Sequence, residues 1–427
     1  MRILFKSVLI ADNTSPYFQQ RVDLLAENGV WVEIGQNITN LADQIVDAPS
    51  LTWFPSIVDL RVHHTLPGGE FREDWSSLRA SALKGGVLDM ALLPTGNPVP
   101  QQAESIRYII DQSSQINYYP IAPLSFDNKG ENFTDLYDLH QAGANWFSHG
   151  ASSLQNTDLM LKCLQYLQTL PVTIVSQAHT EALSLYGQIH EGLQSTLTGL
   201  KGIPVLSETL SIKRDLDLLR YVRNNSFGHA HAGFRLHFSC LSAKDSVDLV
   251  QEAKKEGLPV SADVAVHQLV FTEDDMADFD TNKKVYPPFR TKEDQDALWL
   301  GLQDGTIDAI VSDHHPIEVE HKEIEFDQAS FGIIGLETFL PALLQAATQR
   351  GIKSISSWIH HQPAKLLGIS PSLLQIGADC KGVFVKETSQ VYLASLIQSK
   401  SKNTPFLNHH FDHQIIGILH GAFYTTF

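Results

Sequence analysis

Along the 427 residues the apolar positions follow two different patterns. Near the N-terminus ILFKSVLI is apolar and β-branched and runs into the turn residues of DNTSP. VDLLAENGVWVEIG then sets Asn-Gly between two apolar runs, which predicts a hairpin. Towards the C-terminus GADCKGVFVKETSQVYLASL is β-patterned, and HQIIGILHGAFYTTF is a further apolar run broken by glycine. Residues 1–52 and 373–427 are therefore expected to make one small β-sandwich-like domain from both ends of the chain. The stretch between, 53–372, repeats a short apolar run followed by a longer segment with helical spacing. The runs lie at 54–59, 86–94, 116–125, 144–148, 172–178, 234–240, 258–264 and 307–313. TDLMLKCLQYLQTL and SAKDSVDLVQEAKKEG are clear helical intervals, the second opened by a serine cap and ended by Gly257. Eight strands alternating with helices predict an α/β fold, a (β/α)8 TIM barrel. The competing doubly wound sheet lacks its glycine-rich phosphate turn after the first strand.

Composition narrows the class. At 43% hydrophobic and 19% charged residues the chain has enough apolar side chain for a real core, and disorder of the bulk is excluded. The net charge of −17 repels phosphate backbones and anionic lipid, so neither nucleic acid nor a membrane surface is expected as a partner. Cys163, Cys240 and Cys380 are too few and too scattered for a disulfide framework, which points to a reducing compartment. No apolar run is long enough to span a bilayer and no cleavage site follows the first one, so a cytoplasmic location is expected.

In a barrel of this kind chemistry collects where the strands end. Asp59, Arg61, His63 and His64 follow the first run, Thr95 and Asn97 the second, Ser148 and His149 the fourth. His179 and Glu181, His237 and Cys240, His267, and Asp313, His314 and His315 follow later ones. A single histidine at such a place is usually a hydrogen-bonded structural residue. Imidazoles and carboxylates converging from several strands are what a zinc hydrolase uses to hold metal and acidify its water.

The motifs PSIVDLRVHHTLPG (55–68), GGVLDMALLPTGNP, GANWFSHGASSLQN, AHTEAL, LKGIPVLSE, RLHFSCLSAKDSV, VSADVAVHQL, KVYPPFR, DGTIDAIVSDHHP, FGIIGLET and SKSKNTPF follow one another along the whole chain. Their order and spacing resemble the dihydroorotases of the amidohydrolase superfamily. The resemblance implies a barrel enzyme of pyrimidine biosynthesis that hydrolyses a cyclic amide at a zinc centre.

It also shows what this chain has changed. Asp59, His63, Pro67 and Gly68 match the first motif, but Arg61 stands where the family has its first metal histidine. The metal-bridging group from the fourth strand is matched by Gly150, or by His149 one residue away. His179 is kept, His237 matches the first histidine of the sixth-strand motif, and Cys240 replaces the metal-binding one. Asp313 is the family's metal-binding aspartate and proton shuttle. Thr65, Thr95, Ile317 and Tyr286 stand at the family's substrate-binding positions, and none keeps the group that holds dihydroorotate there. Guanidinium cannot ligate a metal, so at most one zinc is expected, on a set drawn from His63, His179, Cys240 and Asp313. The competing arrangement fills the metal position with a salt bridge from Arg61 to Asp313 or Asp59. A rearranged cluster of His64, His149, His314 and His315 is a further candidate, although neighbours on a strand face opposite ways. Glu181 and Glu337 read as packing residues, Glu273, Asp274, Asp275 and Asp278 as a solvated turn, and SKSKNTPF as structural. The resemblance implies a dihydroorotase-like homologue with a degraded site, a homodimer and a structural or regulatory partner of aspartate transcarbamoylase. The alternatives are a cyclic amidohydrolase working on one metal and one that takes a substrate without a carboxylate.

Overall fold

The computed structural model describes residues 2–225 and 231–427. Eight parallel strands, β1 (Ile57–His63), β2 (Val87–Leu93), β3 (Asn117–Pro123), β4 (Trp146–Ser148), β5 (Thr173–Gln177), β6 (Arg235–Ser239), β7 (Val260–Ala265) and β8 (Ala309–Val311), pair in chain order. The ring closes where Val62 bridges His314 and the His63 N–H donates to the His314 carbonyl at 2.9 Å. Each of the eight apolar runs supplies one of these strands, so the fold is the (β/α)8 barrel. The strands are buried on both faces. On β2, Leu88, Met90 and Leu92 pack outward into the helix layer, while Ala91 and Leu93 join Val58, Leu60, Ile121 and Val175 in a second cluster.

A helix follows each strand. Thr157–Leu167 is capped by Asn156, whose side chain accepts the Leu159 N–H. Lys244–Lys255 stops at Gly257 in the left-handed region, as expected, but its cap residue is Ala243 and no serine caps it. The Asp294 carboxylate accepts the Lys244 N–H instead at 2.8 Å. Ser242 lies buried and bonds Glu208 and Arg290. Between β5 and the helix Val205–Asn225 the chain inserts a small two-stranded unit, Ile189–His190 with Gly202–Ile203, which the apolar pattern did not reveal.

A second, eight-stranded sheet takes strands from both ends. Its order is Phe423–Thr426, His410–His420, Lys381–Val391, Leu51–Phe54, Arg2–Ile10, Arg21–Glu27 and Val30–Gly35, with Gln44–Asp47 beside Arg2–Ile10. The predicted hairpin pairs Glu27 with Val30, and Asn28 and Gly29 both adopt positive φ, as a tight two-residue loop requires. Phe5 stacks on Phe384 at 4.3 Å, and Trp31 meets Trp53 edge-on, which joins N- and C-terminal strands in one core. All three cysteines are buried and unbridged. Among the described residues no helix is long and apolar enough to cross a membrane.

Candidate active site at the barrel mouth

Arg61 rises from β1 into the barrel mouth and is 1% exposed. Its Nε donates to Asp313 Oδ1 at 2.7 Å, one terminal nitrogen to Gln177 Oε1 at 2.9 Å and the other to Ser239 Oγ at 3.4 Å. These partners come from β5, β6 and the end of β8, so one guanidinium ties three strands across the mouth. His63 Nε2 meets the same Asp313 oxygen at 3.2 Å, and its ring stacks flat on His315 at 3.8 Å. Asp59, two residues before Arg61, does not pair with the guanidinium. Its carboxylate accepts the backbone N–H groups of Arg61 and Ser312, both at 3.2 Å, and so links β1 to β8. Burial pushes its pKa up to about 7.

Charge at the centre follows from these contacts. Burial works to raise the Asp313 pKa, but Arg61 and His63 outweigh it and hold the carboxyl well below the ordinary carboxylate range. Burial, reinforced by Asp313, pushes the Cys240 thiol well above its ordinary value, so it stays protonated at neutral pH. Cys240 and Asp313 both have positive φ, 56° and 48°, a backbone conformation that side-chain-bearing residues adopt at some cost in strain. The Asp263 carboxylate secures the first by accepting the Cys240 N–H at 2.6 Å. Asp263 also takes His237 Nε2 at 2.8 Å, which makes His237 a structural residue of the wall.

Next to this centre a cavity of about 610 Å³ opens, lined by Arg61, His63, Gln177, His179, Tyr286, Asp313, His315 and Phe331 among others. His179 Nε2 bonds Ser184 Oγ at 3.0 Å, and its ring meets Tyr286 edge-on at 4.5 Å. Burial and the charge of Arg290 lower the His179 pKa to about 4. Glu181 lines the outer part of the cavity.

These residues do not fit the zinc centre that the resemblance implies. Among the described residues no three His, Cys, Asp or Glu side chains converge to hold a metal ion. Of the four expected ligands, His63 and Asp313 touch each other, but His179 turns its Nε2 to Ser184 and Cys240 is a buried thiol beside a permanent cation. The fourth-strand bridge is absent in either register. Gly150 has φ +71° and a Cβ there would meet Asn128, while His149 faces Ser125 at 3.2 Å outside the cavity. The alternative histidine cluster is dispersed as well. His64 packs on Trp75, His314 bonds Glu73 at 3.3 Å, and of that group His315 alone reaches the cavity. The arrangement found is the salt bridge of Arg61 to Asp313.

Three of the four substrate positions lie away from the cavity. Thr65 Oγ donates to the Gly69 carbonyl, Thr95 Oγ to the His64 carbonyl at 2.9 Å, and Ile317 is buried with its N–H on Asn403. Tyr286 alone lines it. The tail SKSKNTPF is a strap: Ser399 bonds Glu73, Ser401 bonds the Arg72 carbonyl at 2.9 Å, and Asn403 holds the segment after β8. Glu337 receives the Gln398 and Ser399 N–H groups, a packing role as expected. Gln177, Ser239 and Phe331 were not among the expected site residues. The first two close strands whose ends already carried candidate residues, which is the signal that marks them.

A family model described as dihydro-orotase-like matches residues 52–245. The chain is 33% identical over 416 residues to a dihydroorotase of Ruminiclostridium cellulolyticum, covering 95% of this chain and 94% of that one. It is 33% identical over 393 residues to a dihydroorotase of Acetivibrio thermocellus, covering 90% of each. Among solved structures it is similar to an L-hydantoinase (dihydropyrimidinase) from Arthrobacter aurescens, with TM-score 0.83 at 23% identity over 99% of this chain and 96% of that one. A dihydropyrimidinase from Brevibacillus agri gives TM-score 0.80 at 18% identity over 100% and 95%. At those identities the structures speak for the fold alone. The relatives at one-third identity over nearly the full length decide the family, and the chain belongs to the dihydroorotases of the amidohydrolase superfamily.

Proposed function

We propose that this dihydroorotase-family chain does not carry out metal-assisted ring hydrolysis and serves as a non-catalytic member of pyrimidine biosynthesis, with aspartate transcarbamoylase as its partner. One observation carries the reading: the Arg61 guanidinium is bonded to Asp313, Gln177 and Ser239 at the position of a metal ligand. A guanidinium has no lone pair to give, and its charge opposes a dication placed beside it. The same contact disables Asp313 as a proton carrier. A general base works best with a pKa near the operating pH, and Arg61 holds this one far below it. Zinc, were it bound, would supply an activated water, but the described residues give it no ligand shell.

The test is ring closure of carbamoyl aspartate by the purified chain with zinc added. Background rates are expected, and turnover comparable to the Ruminiclostridium relative would overturn the reading. Gel filtration with aspartate transcarbamoylase from the same organism tests the partner: co-elution is expected, and separate peaks would remove that part. A second reading, a cyclic amidohydrolase on a single metal, is favoured by the way His63, His179 and Asp313 still line one open cavity. It requires Arg61 to leave Asp313.

A further inference from the structure

Two lysines behind the cavity wall are buried, a place where that side chain is seldom found unpaired. Lys284 is 1% exposed and Lys322 3%. Each reaches out of its own segment into the other. Lys284, in the connection after β7, donates its Nζ to the Phe326 carbonyl at 2.6 Å and the Asp327 carbonyl at 3.2 Å. Lys322, in the connection after β8, donates its Nζ to the Thr281 carbonyl at 2.9 Å and the Lys284 carbonyl at 3.4 Å. Thr281 Oγ donates back to the Lys322 carbonyl at 2.6 Å, and the Gly332 N–H donates to the Lys284 carbonyl at 3.0 Å. Residues 281–290 and 318–332 are thus laced into one piece, and its Tyr286, Phe331 and Gly332 line the cavity.

The two lysines are not held alike. Lys284 Nζ also lies over the rings of Phe331 at 5.0 Å and Phe326 at 5.3 Å, contacts that favour its cation. Lys322 has carbonyls alone. Burial, reinforced by the charge of Lys284, brings its pKa down to about 7. The other charged groups around these segments do not reverse this. Asp280 acts on Lys322 and Asp327 on Lys284, both more weakly than burial. Asp278 is paired with Lys283, and Glu318 with Arg72 and His321. His315, which feels the Lys322 charge, offers it no counter-charge in either protonation state.

We infer that residues 281–290 and 318–332 form a pH-dependent flap on the cavity wall, closed while the Lys322 amine is neutral and loosened when it takes a proton. The closed position buries the amine and the open one returns it to water, so protonation favours opening. Closure is therefore strongest above the ordinary lysine value of about 10.4, weakens as the pH falls towards 7, and changes little below that. The device does not depend on whether the cavity turns anything over.

Hydrogen exchange by mass spectrometry on the whole chain, corrected for the chemical exchange rate, reads the flap directly at pH 7.0 and pH 9.0. Its amides are expected to open at least about tenfold more at pH 7.0, since one proton is worth up to tenfold per pH unit in this range. Amides of β7 (Val260–Ala265) are expected to exchange alike at both. Lys322→Met and Lys322→Gln, uncharged at either pH, are expected to remove the difference in the flap. Equal opening of the wild-type flap at the two pH values, or opening of β7 in step with it, would overturn the inference. So would either folded variant that keeps the tenfold difference.

Discussion

Arg61 and Arg290 are both buried guanidiniums, yet they are held in opposite ways. Arg290, the arginine of the PPFR motif, donates to the Ile203 carbonyl at 2.7 Å, to His190 Nδ1 at 2.9 Å and to Ser242 Oγ at 3.1 Å, with Glu208 at 3.7 Å. It braces the inserted unit against the barrel mainly through neutral groups, with the Glu208 carboxylate as a longer ion pair. Burial lowers its pKa, and Glu208 and Asp294 do not restore it. At Arg61 burial also opposes the cation, but Cys240 and Asp313 more than offset it and raise the pKa. Because the Cys240 thiol is protonated at neutral pH, the balance there falls to Asp313. Arg290 keeps its cation with hydrogen bonds spread over three groups and a longer ion pair. The cation in the barrel mouth is met by one full counter-charge in close contact, the Asp313 carboxylate at 2.7 Å.

The largest expected effect is on acid stability, and both arginine surroundings contribute. Burial lowers His64, His179, His190, His267 and His360 to about 4. Their folded pKa values lie below the unfolded one, so the stability they carry is whole above about pH 6.5 and drains as the pH falls towards 4. Asp59, raised to about 7, and Asp215, also raised by burial, work against this but are fewer than the lowered imidazoles. Urea titrations at pH 7 and pH 5 should differ by several kcal/mol, since each buried imidazole loses at most about 1.4 kcal/mol for every pH unit the solution falls below its unfolded pKa. Equal stability at the two pH values would contradict the burial of these imidazoles.

Next in size, Arg61→Met should cost about 3–5 kcal/mol by stranding Asp313, and Arg61→Met with Asp313→Asn should recover most of it. Arg290→Met should cost less, about 1–3 kcal/mol, because Glu208 keeps the N–H and O–H of Ser242. Chemical denaturation checks both. If the Arg290 variant proves the less stable of the two, the distinction between ion pair and brace fails.

Much of this was legible in the sequence for local reasons. The eight barrel strands announce themselves as short apolar runs, and Asn28-Gly29 can serve few structures other than a hairpin loop. Arg61 and Asp313 were visible as charges at strand ends. What was hidden depends on contacts between distant segments. Ser242 looks like a cap until Glu208 and Arg290 arrive from 34 and 48 residues away. Thr65 and Thr95 stand at ligand positions, but their hydroxyls are taken by backbone carbonyls, that of Gly69 in the same loop and that of His64 in the loop after β1. The histidines after β1, β4 and β8 share strand ends without sharing a point in space, because alternate side chains leave a strand on opposite faces.

Arg61 stands where the resemblance places a metal ligand, and it holds Asp313. Crystals soaked in zinc, with an anomalous difference map at the zinc edge, test it directly. The expected map has no peak among His63, His179, Cys240 and Asp313 and has continuous density from Arg61 to Asp313. A zinc peak there, with the arginine turned out of the barrel mouth, would contradict it.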